Sequence, residues 1–275
     1  MEIGVTAWSL QIPEGEFERI LQTIREKLNL DIVQIGAWGF IKLDAAERAR
    51  RIEAIRKWKI RVPSTTVAFA GESYATHETA IKTVGFYDPA FVEERFTHIT
   101  DMAEMTVDLD VHLLTTHIGH IPASSKDPMY AHMRDVTRRV CDMLGERNID
   151  LGAEVGGLES ARTLFDFIGD VGRSNLKVNF DPANALRAGG WDPIAELDVL
   201  KSLVVGVHLK DALPLQKSGV WGDEVALGQG QIGVERFVAK LKQIGFAGPL
   251  IIEREGGPDP IGDINRGAEI LRRLI

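Results

Sequence analysis

Apolar residues along the chain gather into short continuous runs, and the segments between them carry helical spacing. Eight runs have strand length: 3–8, 31–38, 61–69, 111–118, 149–155, 176–180, 204–210 and 249–254. Most are unbroken rather than alternating, which is how parallel strands read when both faces are covered. Between them, Phe17, Ile20, Leu21, Ile24 and Leu28 share one helical face. Asp44 and Glu47 are spaced as a capping box, and Asp127-Pro128 and Asp192-Pro193 each pair a capping acid with proline at the first helical position. Gly233 opens a helix carrying Phe237, Leu241 and Ile244, Gly245 stops it, and 263–275 reads as the terminal helix.

Strand-like runs alternating with helices over 275 residues predict an α/β chain: a single-domain (β/α)8 TIM barrel spanning 1–275. An open dinucleotide-binding sheet fits less well, because no Gly-x-Gly-x-x-Gly follows the first run. Gly228, Gly230 and Gly233 have that spacing but follow a loop, so they predict a turn into a helix cap. The one oversized connection, 70–89, is long enough to lie over a barrel mouth as a lid.

Composition narrows the function. With 44% apolar and 26% charged residues the chain reads as globular, and no apolar stretch has membrane-span length. The first residues lack the basic and apolar regions of a signal peptide. The one cysteine, Cys141, rules out an internal disulfide framework, fits a reducing cytoplasm, and reads as core. A net charge of −8 lacks the basic footprint of a nucleic-acid binder and favours a small-molecule partner.

The chemistry sits where a barrel puts it, at the C-terminal ends of the strands. The last four runs end in Glu154, Asp181, His208 and Glu253. Any one acid at a strand end is commonly a cap or a solvated group. Together they form a set of three carboxylates and one imidazole. Adjacent strands lie ~4.8 Å apart, so the four can converge. Converging carboxylates repel unless a cation joins them, and this donor set suits Mn2+ or Mg2+, with Co2+ or Zn2+ as further candidates.

The motifs "GAEVGG", "VNFDPAN", "GVHLKDA" and "GQGQIGVERFVAKLKQIGFAGPLIIERE" carry a resemblance to the xylose-isomerase-like TIM-barrel superfamily. The similarity lies with its sugar isomerase/epimerase branch: ketose 3-epimerases, hydroxypyruvate isomerase and inosose enzymes. It implies one divalent ion held by Glu154, Asp181, His208 and Glu253, a sugar substrate, and a homo-oligomer as in relatives. It further implies that Glu154 and Glu253 are the acid/base pair, moving a proton through an enediolate to give epimerisation or isomerisation. One departure is Asn184, where the epimerases commonly carry histidine. It keeps open a metal-dependent dehydratase or lyase acting on a keto-sugar, inosose or glycoside. The family's arginine beyond the strand-seven histidine also has no match, and Lys210 or Lys217 are the available cations. An endonuclease-IV-like hydrolase or a non-catalytic sugar binder are weaker alternatives, disfavoured by ligand set and charge.

Further candidates cluster near the same end. His117 is a substrate contact or a structural histidine, and His120 lies further out. Glu159 is a substrate contact or, better, a helix cap. Trp8 and Trp38 are pocket walls or core, and Lys210 contacts substrate or pairs with Asp181. Asp211 and Glu255 read as supporting or solvated acids.

Overall fold

The computed structural model describes residues 1–36 and 43–275. Eight parallel strands close into a barrel: β1 (Ile3–Thr6), β2 (Val33–Gly36), β3 (Thr65–Thr66), β4 (Leu113–Thr116), β5 (Asp150–Glu154), β6 (Leu176–Phe180), β7 (Val204–Leu209) and β10 (Leu250–Ile252). The last strand closes on the first through the pairs Ile3/Leu250, Gly4/Ile251 and Val5/Ile252. Between them lies a two-stranded antiparallel ribbon, β8 (Asp211–Ala212) with β9 (Glu224–Val225), which the apolar pattern did not announce.

All eight expected runs contain a strand; the sixth fills its run, 176–180, and the other seven are shorter than theirs. The run 61–69 yields only Thr65–Thr66, although Val67 and Phe69 beyond it remain buried. The first strand stops at Thr6 and the chain turns into a 3-10 segment, Ala7–Leu10, so Trp8 lies past the strand rather than at its end. Trp38 falls outside the described residues.

Helices pack outside the barrel with the faces the spacing predicts. Phe17, Ile20, Leu21, Ile24 and Leu28 are all buried. Their helix, Phe17–Gln22, runs on into a wider π turn, Thr23–Lys27. Asp44, Asp127 and Asp192 each cap their helix by accepting from a first-turn N–H. The terminal helix spans Pro260–Leu274, three residues longer at its start than expected. Its cap is Asp259 ahead of Pro260, the same acid–proline signal as at Asp127 and Asp192. Gly233 and Gly245 bracket the helix Val234–Gln243 with positive φ.

The glycine-spaced turn at 228–233 is held by one side chain. The Asp211 carboxylate accepts from the backbone N–H groups of Gly228, Gly230 and Ile232, and from that of Ala212. Asp211 is therefore a buried structural anchor that ties the ribbon to the approach of the next helix.

Cys141 lies within helix Pro128–Gly145 at 1% exposure, and burial followed by the neighbouring Asp142 charge pushes its thiol up to about 12. A thiol is reactive as its thiolate. The folded protein is expected to leave Cys141 unalkylated by iodoacetamide near neutral pH and to label only on unfolding, as read by intact mass. Rapid labelling of the native protein would contradict this packing.

Candidate metal centre

The four strand-end residues meet. Glu154 ends β5, Asp181 follows β6, His208 lies within β7 and Glu253 follows β10. One ligand atom from each lies within 4.8 Å of all the others. Ligands of a single cation at about 2.0–2.2 Å would sit roughly 3–4 Å apart, so a small contraction suffices. His208 Nδ1 stands 3.3 Å from both Glu154 Oε1 and Glu253 Oε2.

The donor set fits a cation on a second ground. Asp181 Oδ2 and His208 Nδ1 are buried without a well-formed hydrogen bond; charged groups stand beside them, Lys210 Nζ at 3.1 Å and the Glu154 and Glu253 carboxylates at 3.3 Å. Buried polar atoms normally make a hydrogen bond, and two that lack a good one while facing a common centre suit a shared cation. The other Asp181 oxygen is engaged, accepting from the N–H groups of Ala183 and Asn184. This caps the short helical turn after β6 and leaves Oδ2 to face the centre and the Lys210 ammonium.

Each ligand is braced. Trp8 Nε1 donates to Glu253 Oε1 at 2.9 Å, and the indole lies edge-on to His208 with ring centroids 6.2 Å apart. Lys210 Nζ lies 2.8 Å from Glu253 Oε2, 3.1 Å from Asp181 Oδ2 and 3.2 Å from Glu255 Oε1. Asn184 Nδ2 and Asn179 Nδ2 donate to the two oxygens of Glu154 at 3.3 and 3.5 Å. His208 Nε2 contacts Gln34 Oε1 at 2.6 Å. Gly157, at φ +77°, brings the loop after β5 against this region; a Cβ there would come 2.0 Å from the Asn184 carbonyl oxygen.

Electrostatics separate the carboxylates. Burial raises the Glu154 carboxyl, but the charges of His208 and His117 and a hydrogen bond from His208 outweigh it and hold it at about 2. Burial acts on Glu253 likewise, and Lys210 and His208 hold it well below the usual range. Asp181 goes the other way: burial, with the Glu154 and Glu253 charges, exceeds the pull of Lys210 and lifts it to about 6. Burial lowers His208 and Lys210, but the surrounding carboxylates raise both well above their ordinary values.

These directions set a pH dependence. Without a cation Asp181, at about 6, and His208, raised well above its ordinary value, hold protons in weak acid. A cation needs both groups deprotonated, so binding expels protons and strengthens as pH rises. The rise in Tm on adding Mn2+ is expected to grow between about pH 5 and about pH 8. A rise that stays flat or shrinks over that range would contradict this assignment.

Above the cluster opens a cavity of about 400 Å³. His117 lines it, with Nε2 3.5 Å from Glu154 Oε1, and Asn184 and Trp8 line it as well. Two expectations need correcting. His120 does reach the cavity, and Glu159 faces it there, Oε2 lying 3.4 Å from His120 Nδ1. Glu159 is not the helix cap; Ser160 is, accepting from the Thr163 N–H. Of the two roles open to Lys210, the structure shows the pairing with Asp181. The side chain is 2% exposed and lies behind the carboxylates, away from the cavity lining.

The segment 70–89 crosses the mouth. It contains a helix, His77–Thr83, and Glu72 bonds the N–H groups of Phe69 and Gly85. Its Tyr74, Ala80 and Val84 line the cavity. Tyr74 and His77 meet Trp221, from the loop between β8 and β9, at centroid distances of 6.4 and 4.5 Å.

Gln34 and Arg187 are not among the candidates drawn from the chain's pattern. Gln34 had a signal, an amide inside the otherwise apolar run 31–38. Arg187 had none. It lines the cavity with its guanidinium 3.5 Å from Glu255 and near the Trp221 ring, and so supplies a mouth cation that neither Lys210 nor Lys217 provides.

Comparison with known proteins agrees with this architecture. The family described as xylose isomerase-like TIM barrel matches residues 26–274. An uncharacterized protein of Methanocaldococcus jannaschii is 25% identical over 206 residues, covering 68% of this chain and 66% of that protein. L-ribulose-5-phosphate 3-epimerase UlaE of Salmonella heidelberg is 22% identical over 287 residues, covering 95% of this chain and 94% of the enzyme. The crystal structure of a xylose isomerase domain protein from Planctomyces limnophilus superposes with a TM-score of 0.86. Its sequence identity is 29%, over 100% of this chain and 95% of that one.

Proposed function

Because the chain belongs to the xylose isomerase-like TIM-barrel family, we propose that it is a divalent-metal-dependent isomerase or epimerase of a ketose or related sugar derivative. Glu154, Asp181, His208 and Glu253 would hold the ion, Mn2+ or Mg2+ by donor chemistry. When bound, the ion supplies Lewis acidity that makes the proton beside the sugar's carbonyl easier to remove. The residues of the chain do the rest.

The observation that carries the reading is a pair of carboxylates, Glu154 and Glu253, each 3.3 Å from the same His208 nitrogen and both lining one cavity. The charges around Glu154 hold its carboxyl at about 2, which leaves it ionised near neutral pH, as a proton acceptor must be. Glu253 is aimed by Trp8 and Lys210, which fix one oxygen each. One carboxylate removes the α-proton and the other returns a proton to the opposite face or to the adjacent carbon. His117, Asn184 and Glu159 line the cavity as candidate partners for sugar hydroxyls, and Trp8 as a wall. The epimerase activity of a relative along nearly the whole chain supports this class of reaction.

A lyase or dehydratase outcome has one observation in its favour. Asn184 donates to Glu154 and has no proton to relay. A site that removes the α-proton but returns it poorly favours loss of a β-substituent.

The test is chelated protein incubated with ketoses, inososes and 3-keto sugars in D2O, with and without Mn2+, Mg2+ or Co2+. Deuterium entering the carbon beside the carbonyl of an equal-mass isomer, only with metal, is the expected result. Loss of water or an aglycone would move the reading to the lyase. No exchange with any substrate and metal would overturn it.

A further inference from the structure

We propose that Gln34 is the positioning residue that decides which ring nitrogen of His208 faces the cation site; this rests on the metal reading above. Gln34 lies in β2 at 1% exposure and reaches across the barrel interior to β7. Its amide nitrogen donates to Ser64 Oγ at 3.0 Å and to Thr115 Oγ1 at 3.1 Å. The Thr115 hydroxyl gives its own proton to the Thr65 carbonyl at 3.3 Å, so its oxygen is left to accept. That fixes the amide with Nε2 toward Thr115 and Oε1 toward the ring.

An amide oxygen can only accept. At 2.6 Å from His208 Nε2, it requires a proton on that nitrogen. Once the ring is neutral, the nitrogen left to offer a lone pair is Nδ1, which stands 3.3 Å from both Glu154 and Glu253. A partner on the far nitrogen orients a ligating imidazole and raises its basicity. Here that partner is held in turn by Ser64, just before β3, and Thr115 of β4, so three barrel staves set the direction of one ligand. A purely structural glutamine would affect stability when replaced, with no separate effect on metal affinity.

The experiment compares wild type, Gln34→Leu and Gln34→Glu as full-length folded protein, reading Mn2+ affinity by chelator competition. The ring N–H resonances of His208 are followed by NMR in the 15N-labelled, metal-free protein. Gln34→Leu is expected to bind Mn2+ about 10–100-fold more weakly, while Gln34→Glu, which keeps an acceptor, stays near wild type. A slowly exchanging Nε2–H is expected in wild type and in Gln34→Glu, and its loss in Gln34→Leu. Wild-type affinity in Gln34→Leu, or an unchanged Nε2–H signal, overturns the proposal. Should Gln34→Leu fail to fold, Thr115→Val takes its place. It frees the amide to turn, so weaker Mn2+ binding is expected and unchanged binding overturns the orientation. If wild type binds no divalent ion, the metal reading falls, and the Nε2–H signal by itself then decides the role of Gln34.

Discussion

Glu154→Gln and Glu253→Gln are each expected to lower turnover of the sugar substrate by about 10²–10⁴-fold, with the barrel still folded. Glutamine keeps the size of glutamate but turns one oxygen into an amide NH2, so of Asn184 and Asn179, which donate to different Glu154 oxygens, one keeps its acceptor. What is lost is the proton acceptor and a unit of charge at the ligand cluster. Assays at saturating metal separate the two losses, because weakened metal binding is recovered there and missing proton transfer is not. The pair should also differ from each other. Starting from one epimer in D2O, the variant lacking the accepting carboxylate should stop exchange altogether. The variant lacking the donating one should still exchange while forming little product. Wild-type turnover in both variants would remove the proposed mechanism.

Lys210→Met is expected to destabilise the metal-free protein by about 3–5 kcal/mol, the usual consequence of deleting one member of a buried charge group. Lys210, Asp181 and Glu253 side chains are 2%, 0% and 5% exposed, and Lys210 contacts both carboxylates. Its pair with the half-exposed Glu255 contributes little by comparison. Without the ammonium, Asp181 and Glu253 face each other with only the His208 imidazolium between them and Glu154. A divalent ion supplies the missing positive charge, so Mn2+ should raise the Tm of Lys210→Met more than that of wild type. Thermal denaturation with and without metal checks both halves. An equal metal effect in the two proteins would mean that Lys210 does not balance the cluster.

The barrel was legible because burial on both faces writes parallel strands as unbroken apolar runs. Strand ends were not legible, since a buried loop is as apolar as a buried strand. Phe69 is a core residue beyond the strand, Val67 lies past its end yet still donates its N–H to the Thr115 carbonyl at 3.0 Å, and Trp8 follows a strand that had already ended at Thr6. Acid–proline pairs mark helix starts, at Asp259-Pro260 as at Asp127-Pro128 and Asp192-Pro193. In the site, Glu154, Asp181, His208 and Glu253 stood out because a charged group at the end of an apolar run is costly unless something holds it.

The chain's sequence by itself determined the fold class and the four converging donors, because both follow from local rules: which residues prefer burial, and where an apolar run meets a charge. Only the tertiary structure decided what holds those donors in place. Gln34 meets His208 across 174 residues and Trp8 meets Glu253 across 245. The roles of His120 and Glu159 likewise depend on which loops fold over the mouth, and that of Lys210 on the carboxylates it meets behind the cavity. Contacts of that kind are set by closure of the barrel, which brings distant segments within hydrogen-bond range and leaves no periodic trace along the chain.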